Sequence, residues 1–151
     1  MKNNLKIFFN GYFYIDEKEK IDKASLIFSK KFNISNNFFF NLHSVDEKKS
    51  TSLNNKYFQK NMPADVLSFP LYKNIDTILN LDPHNEEDLG DMFINRKIVK
   101  KNSQKYDKSF VEELQFIIIH GLLHLVGYTH ENEIELREIE DEIMRMVWDG
   151  S

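Results

Sequence analysis

Three of the five histidines in this chain fall in one short segment, His120-Gly121-Leu122-Leu123-His124-Leu125-Val126-Gly127-Tyr128-Thr129-His130. Residues four apart share a face of a helix, so His120 and His124 can present their rings to one ion. Gly127 can adopt the backbone conformation that ends a helix, after which the chain turns and brings His130 back. Three imidazoles on a tetrahedral ion leave one position open for water, the pattern of a catalytic zinc site rather than a structural one. A lone histidine on an apolar helix is more often a hydrogen-bonded core residue. Three at the spacing H-x3-H-x5-H, with a helix-ending glycine in place, match the ligand spacing of the metzincins. His43 and His84 stand alone and read as a strand position and a surface loop.

One substitution redirects the chemistry. Zinc peptidases carry Glu directly after the first His as general base. Here that position is Gly121, so a peptidase would lack its base. Any other hydrolysis would lean on the ion itself, which makes water a nucleophile near neutral pH and polarises a bound oxygen.

The 151 residues suit one domain with a real core, being 41% hydrophobic and 29% charged. The formal net charge of −4 gives no overall pull toward nucleic acid or anionic membrane, so an RNA substrate would need a local patch. The chain has no Cys, which excludes disulfides, thiolate ligands and cysteine nucleophiles. The N-terminal apolar run is broken by Asn10 and Gly11 and lacks a cleavage signature, so it reads as a strand. The longest apolar stretch, from Phe116 to Val126, is interrupted by two His and is too short for a membrane span. A cytoplasmic protein with no membrane or disulfide partner is the expectation.

The elements that must position the histidines follow from periodicity. Leu5–Ile15 reads as a strand, and Asp16 as the cap of a helix to about Phe32 with Ile21, Ala24, Ile27 and Phe28 on its apolar face. Phe38–Val45 is a second strand, and Asp46 opens a polar segment with a short helix ending near Phe58. Val66–Tyr72 is a third strand that must end or lie at an edge at Pro70. Residues 73–88 read as a turn or mobile loop, Met92–Ile94 as a fourth strand, and 95–105 as a short helix. Ser109 with Glu112 forms a capping box for a strong helix to about Val126. A last helix spans about Glu131–Trp148 on the stripe Leu136, Ile139, Ile143 and Val147. Early strands and late helices indicate an α/β (α+β) domain with one mixed sheet of about four strands and the metal-site helix near the C-terminus.

The histidine segment resembles the signature of the YbeY family of bacterial endoribonucleases, H-G-x-L-H-L-x-G-Y-D-H, with Thr129 in place of the Asp. Leu53-Asn54, Tyr57 and Asp65-Val66-Leu67-Ser68-Phe69-Pro70 are similar to a second family block, and Leu89-Gly90-Asp91 with Ile94 to a third. The resemblance covers nearly the whole chain. It implies a zinc ion on His120, His124 and His130, and cleavage of single-stranded RNA. It also implies a part in maturation of the 3′ end of small-subunit ribosomal RNA and in ribosome quality control, with the small ribosomal subunit as partner.

Two positions depart from the pattern. The family Arg after the Tyr of the second block is here Phe58, which cannot stabilise a phosphoryl transition state as a guanidinium does. Lys56, Lys60 or Arg96 are the candidates to supply that cation. Thr129 can replace the Asp before the third His only as a weaker hydrogen-bonding partner. Asp91 is a candidate to steer the attacking water and Ser68 a second catalytic candidate, although a turn or cap role explains Asp91 equally well. Asn54 could line the cleft. Lys97, Lys100 and Lys101 could track phosphates, though in a Lys-rich chain they are more simply a solvated face. The rival readings are a ribosome-associated zinc-binding protein with little catalysis and, against Gly121, a metallopeptidase-like hydrolase.

Overall fold

Strand alternation decides which residues face inward. The computed structural model describes residues 4–149. Along β2 (Phe38–Ser44), Phe38, Phe40 and Leu42 are buried while Phe39, Asn41 and His43 are half-buried. One side of this strand therefore belongs to the core and the other to an open face. The same period runs through β1 (Lys6–Asn10) and β4 (Glu87–Ile94). The sheet order is β1-β2-β4-β3, with β3 spanning Val66–Pro70. β1 and β4 run parallel to β2, and β3 runs antiparallel to β4 at the edge. Pro70 thus sits on an edge strand, where its missing N–H costs no ladder bond.

The inward face is covered by α5 (Phe110–Leu125), whose sequence is apolar nearly all round and buried accordingly. It lies against β3 and β4 and is flanked by α1 (Ile15–Phe32), α4 (Arg96–Lys105) and α6 (Glu133–Asp149). Ile118, Leu122, Phe40, Leu42 and Met92 are fully buried where helix and sheet meet. This is the mixed four-stranded α+β domain expected from the sequence. The open face meets α2 (Glu47–Phe58), whose Tyr57 and Phe58 pack on Phe69 of β3 at ring-centroid distances of 5.0 and 5.8 Å.

Several boundaries differ from expectation. β1 stops at Asn10, not Ile15, because Gly11 turns the chain at φ 90° with its Cα packed so close to Ser44 that a Cβ would sit 2.8 Å from the Ser44 carbonyl oxygen. The cap of α1 is Tyr14 and not Asp16: the buried Glu17 carboxylate accepts the Tyr14 N–H at 2.9 Å. The stretch 73–88 contains α3 (Ile75–Leu79), capped by Asn74 and anchored by the fully buried Ile78. β4 begins at Glu87, well before Met92. Ser109 caps α5 by accepting the Glu112 N–H, the first half of the expected capping box, and Asp46 caps α2 in the same way through the Lys49 N–H. A 3-10 turn, His130–Asn132, precedes α6.

Candidate active site

His120 and His124 lie one turn apart on α5, and their Nε2 atoms approach to 3.1 Å. The opposite nitrogen of each ring is held. His124 Nδ1 donates to the Tyr128 carbonyl oxygen at 2.8 Å, and His120 Nδ1 meets Glu140 Oε1 at 2.5 Å. Glu140 arrives from α6 and is only 4% exposed. With both Nδ1 atoms engaged as donors, the two Nε2 lone pairs converge on one point. Such lone pairs repel unless a cation is shared between them, either a proton or a metal ion.

The titration behaviour agrees with this geometry. Burial and the neighbouring His120 hold the His124 pKa below its ordinary value. Burial pulls His120 the same way, but the Glu140 carboxylate outweighs it and the net pKa is raised. A proton on His120 shared toward a neutral His124 satisfies both nitrogens.

The pair opens into a cleft of about 550 Å³ lined by residues of α2, β3, α5 and the turn that follows it. Gly127 makes that turn at φ 105°, and a Cβ there would sit 2.4 Å from the Lys73 carbonyl oxygen, so only glycine lets the chain double back. His130 follows on the exposed 3-10 turn, its ring centroid 5.3 Å from that of His124. Thr129 caps this turn through the Glu131 N–H at 3.3 Å. Among the described residues, no three His, Cys, Asp or Glu side chains already stand in metal-binding geometry. The two α5 imidazoles fit a zinc ion nonetheless: ligands at about 2.0–2.1 Å in a tetrahedron sit roughly 3.3 Å apart. His130 is the third histidine lining the same cleft.

Ser68, Asn54, Lys60 and Phe58 also line the cleft. Ser68 Oγ donates to the Gly121 carbonyl oxygen at 2.8 Å, tying β3 to α5. Asn54, 5% exposed, donates to the Met62 carbonyl oxygen at 2.8 Å and fixes the loop beside the cleft. Other sequence-derived candidates lie elsewhere. Asp91 is on the open face, because Met92 beside it points at α5; its carboxylate pairs with His43 Nε2 at 2.9 Å. Arg96 is committed to Glu17 at 2.6 Å and stacks near Tyr12 and Tyr14, lining a separate hollow. Lys56 is exposed over the Tyr57 ring outside the cleft. Lys97, Lys100 and Lys101 line a different groove with the loop at Met62 and Pro63.

Gly121 gains a second meaning. A Cβ there would lie 2.4 Å from Met92 Cε and 3.1 Å from Val66 Cγ2. The position therefore faces the sheet, and no side chain there would reach the cleft. Two residues escaped the sequence reading. Glu140 sits in the α6 stripe between Leu136 and Ile143, and a carboxylate in an apolar register is a signal for a buried partner. Asp65, directly before β3, is the carboxylate that lines the cleft.

Fold and cleft together define a one-domain α+β protein with a histidine-lined cleft between α5 and the edge strand. The family described as endoribonuclease YbeY matches residues 13–147. An endoribonuclease YbeY of Ureaplasma urealyticum is 37% identical over 145 residues, covering 94% of this chain and 86% of the relative. That of Lactobacillus helveticus is 33% identical over 135 residues, covering 83% and 78%. The solution structure of a Thermotoga maritima protein superposes with a TM-score of 0.63 at 26% identity, covering 95% of this chain and 90% of that one. This chain belongs to the YbeY family, and so to a family of hydrolytic nucleases.

Proposed function

We propose that the protein is a zinc-dependent endoribonuclease acting on single-stranded RNA, in 3′-end maturation of small-subunit ribosomal RNA and in ribosome quality control in the cytoplasm. The observation that carries the metal reading is the convergence of two Nε2 atoms 3.1 Å apart, each fixed from behind by a hydrogen bond to Nδ1. His120, His124 and His130 would hold the ion, the exposed His130 side chain swinging in to complete the set. When bound, a zinc ion activates water near neutral pH and polarises a phosphoryl oxygen. Among the described residues, no single helix is long and apolar enough to cross a membrane, in keeping with the proposed location.

The chain's own groups have defined parts. Glu140 keeps the His120 tautomer that directs Nε2 to the cleft. The Asp65 carboxylate can accept a proton from the attacking water, since among the described residues its one hydrogen bond is from the Val66 N–H at 2.7 Å. Among the described residues Lys60 is the one Lys or Arg lining the cleft, and it would meet a substrate phosphate there. In the test, zinc-loaded protein cuts single-stranded RNA and His124→Ala does not. Intact RNA under conditions where a relative cuts it would refute the reading.

A second reading, a ribosome-associated zinc protein with weak catalysis, is favoured by one observation. Phe58 lines the cleft where the family pattern has Arg. If Phe58→Arg gains cutting while the parent chain only co-sediments with ribosomal particles, the second reading holds.

A further inference from the structure

An antiparallel or mixed sheet with one bare face normally makes that face polar. Here it is aromatic. Phe93 of β4 stacks on His43 of β2 with centroids 4.4 Å apart and planes 12° from parallel. Phe69 of β3 stands edge-on to Phe93 at 5.6 Å, and Phe58 packs on Phe69 at 5.8 Å. Farther along, Phe8 of β1 is 53% exposed and meets Phe39 of β2 edge-on at 4.9 Å. Phe58 belongs to both regions: it lines the histidine cleft and begins the aromatic series. The sheet face and the cleft thus meet at Phe58.

Polar groups are set among the rings. Asn10 Nδ2 lies 3.0 Å from His43 Nδ1, His43 Nε2 pairs with Asp91, and Asn41 Nδ2 reaches toward Asp88 at 3.3 Å. Amides, an imidazole and carboxylates between flat apolar rings suit nucleobases, which offer a π-face and hydrogen-bonding edges. The Asp88 and Asp91 carboxylates would repel phosphates, so a strand crossing here must turn its bases to the sheet and its backbone to water.

We propose that this open face is a stacking track for the unpaired nucleobases that flank the scissile bond, entered at Phe58 and continued over Phe69, Phe93 and His43. The proposal rests on the RNA-cutting reading above and adds where the rest of the strand lies. It also accounts for Phe58, whose ring at the cleft rim holds a base where the family pattern supplies a charge.

The test uses the zinc-loaded full chain and single-stranded RNA of two lengths, one filling only the cleft and one extending well past it. A 2-aminopurine base outside the cleft, followed by stopped-flow fluorescence, reports stacking before any bond is cut. The longer RNA binds more tightly than the shorter, by about tenfold to a hundredfold for one or two stacked bases, and its probe is quenched. Replacing the flanking bases with abasic sites removes that advantage in the unaltered protein, whatever the variants do. Phe93→Leu, which keeps an apolar side chain but no ring, removes much of it, and abasic RNA then shows no further loss. Equal binding of abasic and base-bearing RNA overturns the proposal, as does an unquenched probe. If light scattering shows a dimer that Phe93→Leu dissociates while RNA affinity stays unchanged, the face is a self-association surface and the proposal falls. In those outcomes RNA is still cut, and the nuclease reading stands. If neither RNA is bound or cut, that reading fails first and takes this one with it.

Discussion

The two faces of the sheet are built from the same strands and obey different rules. On the inner face Phe40, Leu42 and Met92 have no exposure and belong to the hydrophobic core between sheet and helices. Each atom there has a fixed neighbour, so geometry set on α5 is held to fractions of an ångström. On the outer face Phe8, Phe39, His43, Asp91 and Phe93 reach solvent to differing degrees. The rings touch each other, and α2 meets the face at Phe69. The inner face therefore stores stability and positions His120 and His124, while the outer face keeps free surface for a ligand. On the proposed reading, chemistry belongs to the rigid side of the sheet's edge and recognition to the other side.

Substitutions can break this contrast. The largest effect is expected from His124→Ala, which removes the central imidazole: cleavage of single-stranded RNA falls to background and bound zinc, read by elemental analysis, drops below one per chain. Next is Leu42→Ala on the inner face, which should lose about 2–5 kcal/mol in urea unfolding, because the fixed surroundings cannot fill the cavity. A loss as small as that of an exposed site would mean the two faces are not distinct. Glu140→Gln keeps shape and removes charge; zinc affinity, measured by competition with a chelator, should weaken about 10–100-fold. Melting behaviour that changes as much as the affinity would make Glu140 a packing residue instead.

Smaller effects sharpen the comparison. Gly121→Ala pushes a methyl against Met92 Cε and Val66 Cγ2. The thioether end can yield, so a cost of about 1–3 kcal/mol is expected. On the outer face Phe8→Ser should change stability by only about 0.5 kcal/mol or less, as exposed sites generally do. A loss comparable to that of Leu42→Ala would show that a partner or a second copy already covers the ring.

How far the sequence reached depended on how local the cause was. His120 and His124 are joined by one helical turn, and Gly127 by a backbone conformation, so both were legible. The order of strands and helices followed from periodicity and caps. Glu140 was not found, because its partner is on another helix and only packing brings them together. Asp91 and Arg96 were misplaced for a related reason. Residue type suggested a role for each, but strand alternation sends Asp91 through to the bare face, and Glu17 captures Arg96. The stretch 73–88 read as loop because α3 is only five residues long and depends on burial of Ile78 rather than propensity.

The hydrogen bond from α6 to the histidine helix also has a consequence in time. Chains are synthesised from the N-terminus, and domains form as their parts emerge. β3 can pair only once β4 exists, and His120 receives its carboxylate only when α6 is made and docked. A partly translated chain can hold most of the sheet and still lack the histidine tautomer that the cleft requires. A chain that ends before α6 lacks the carboxylate that orients His120.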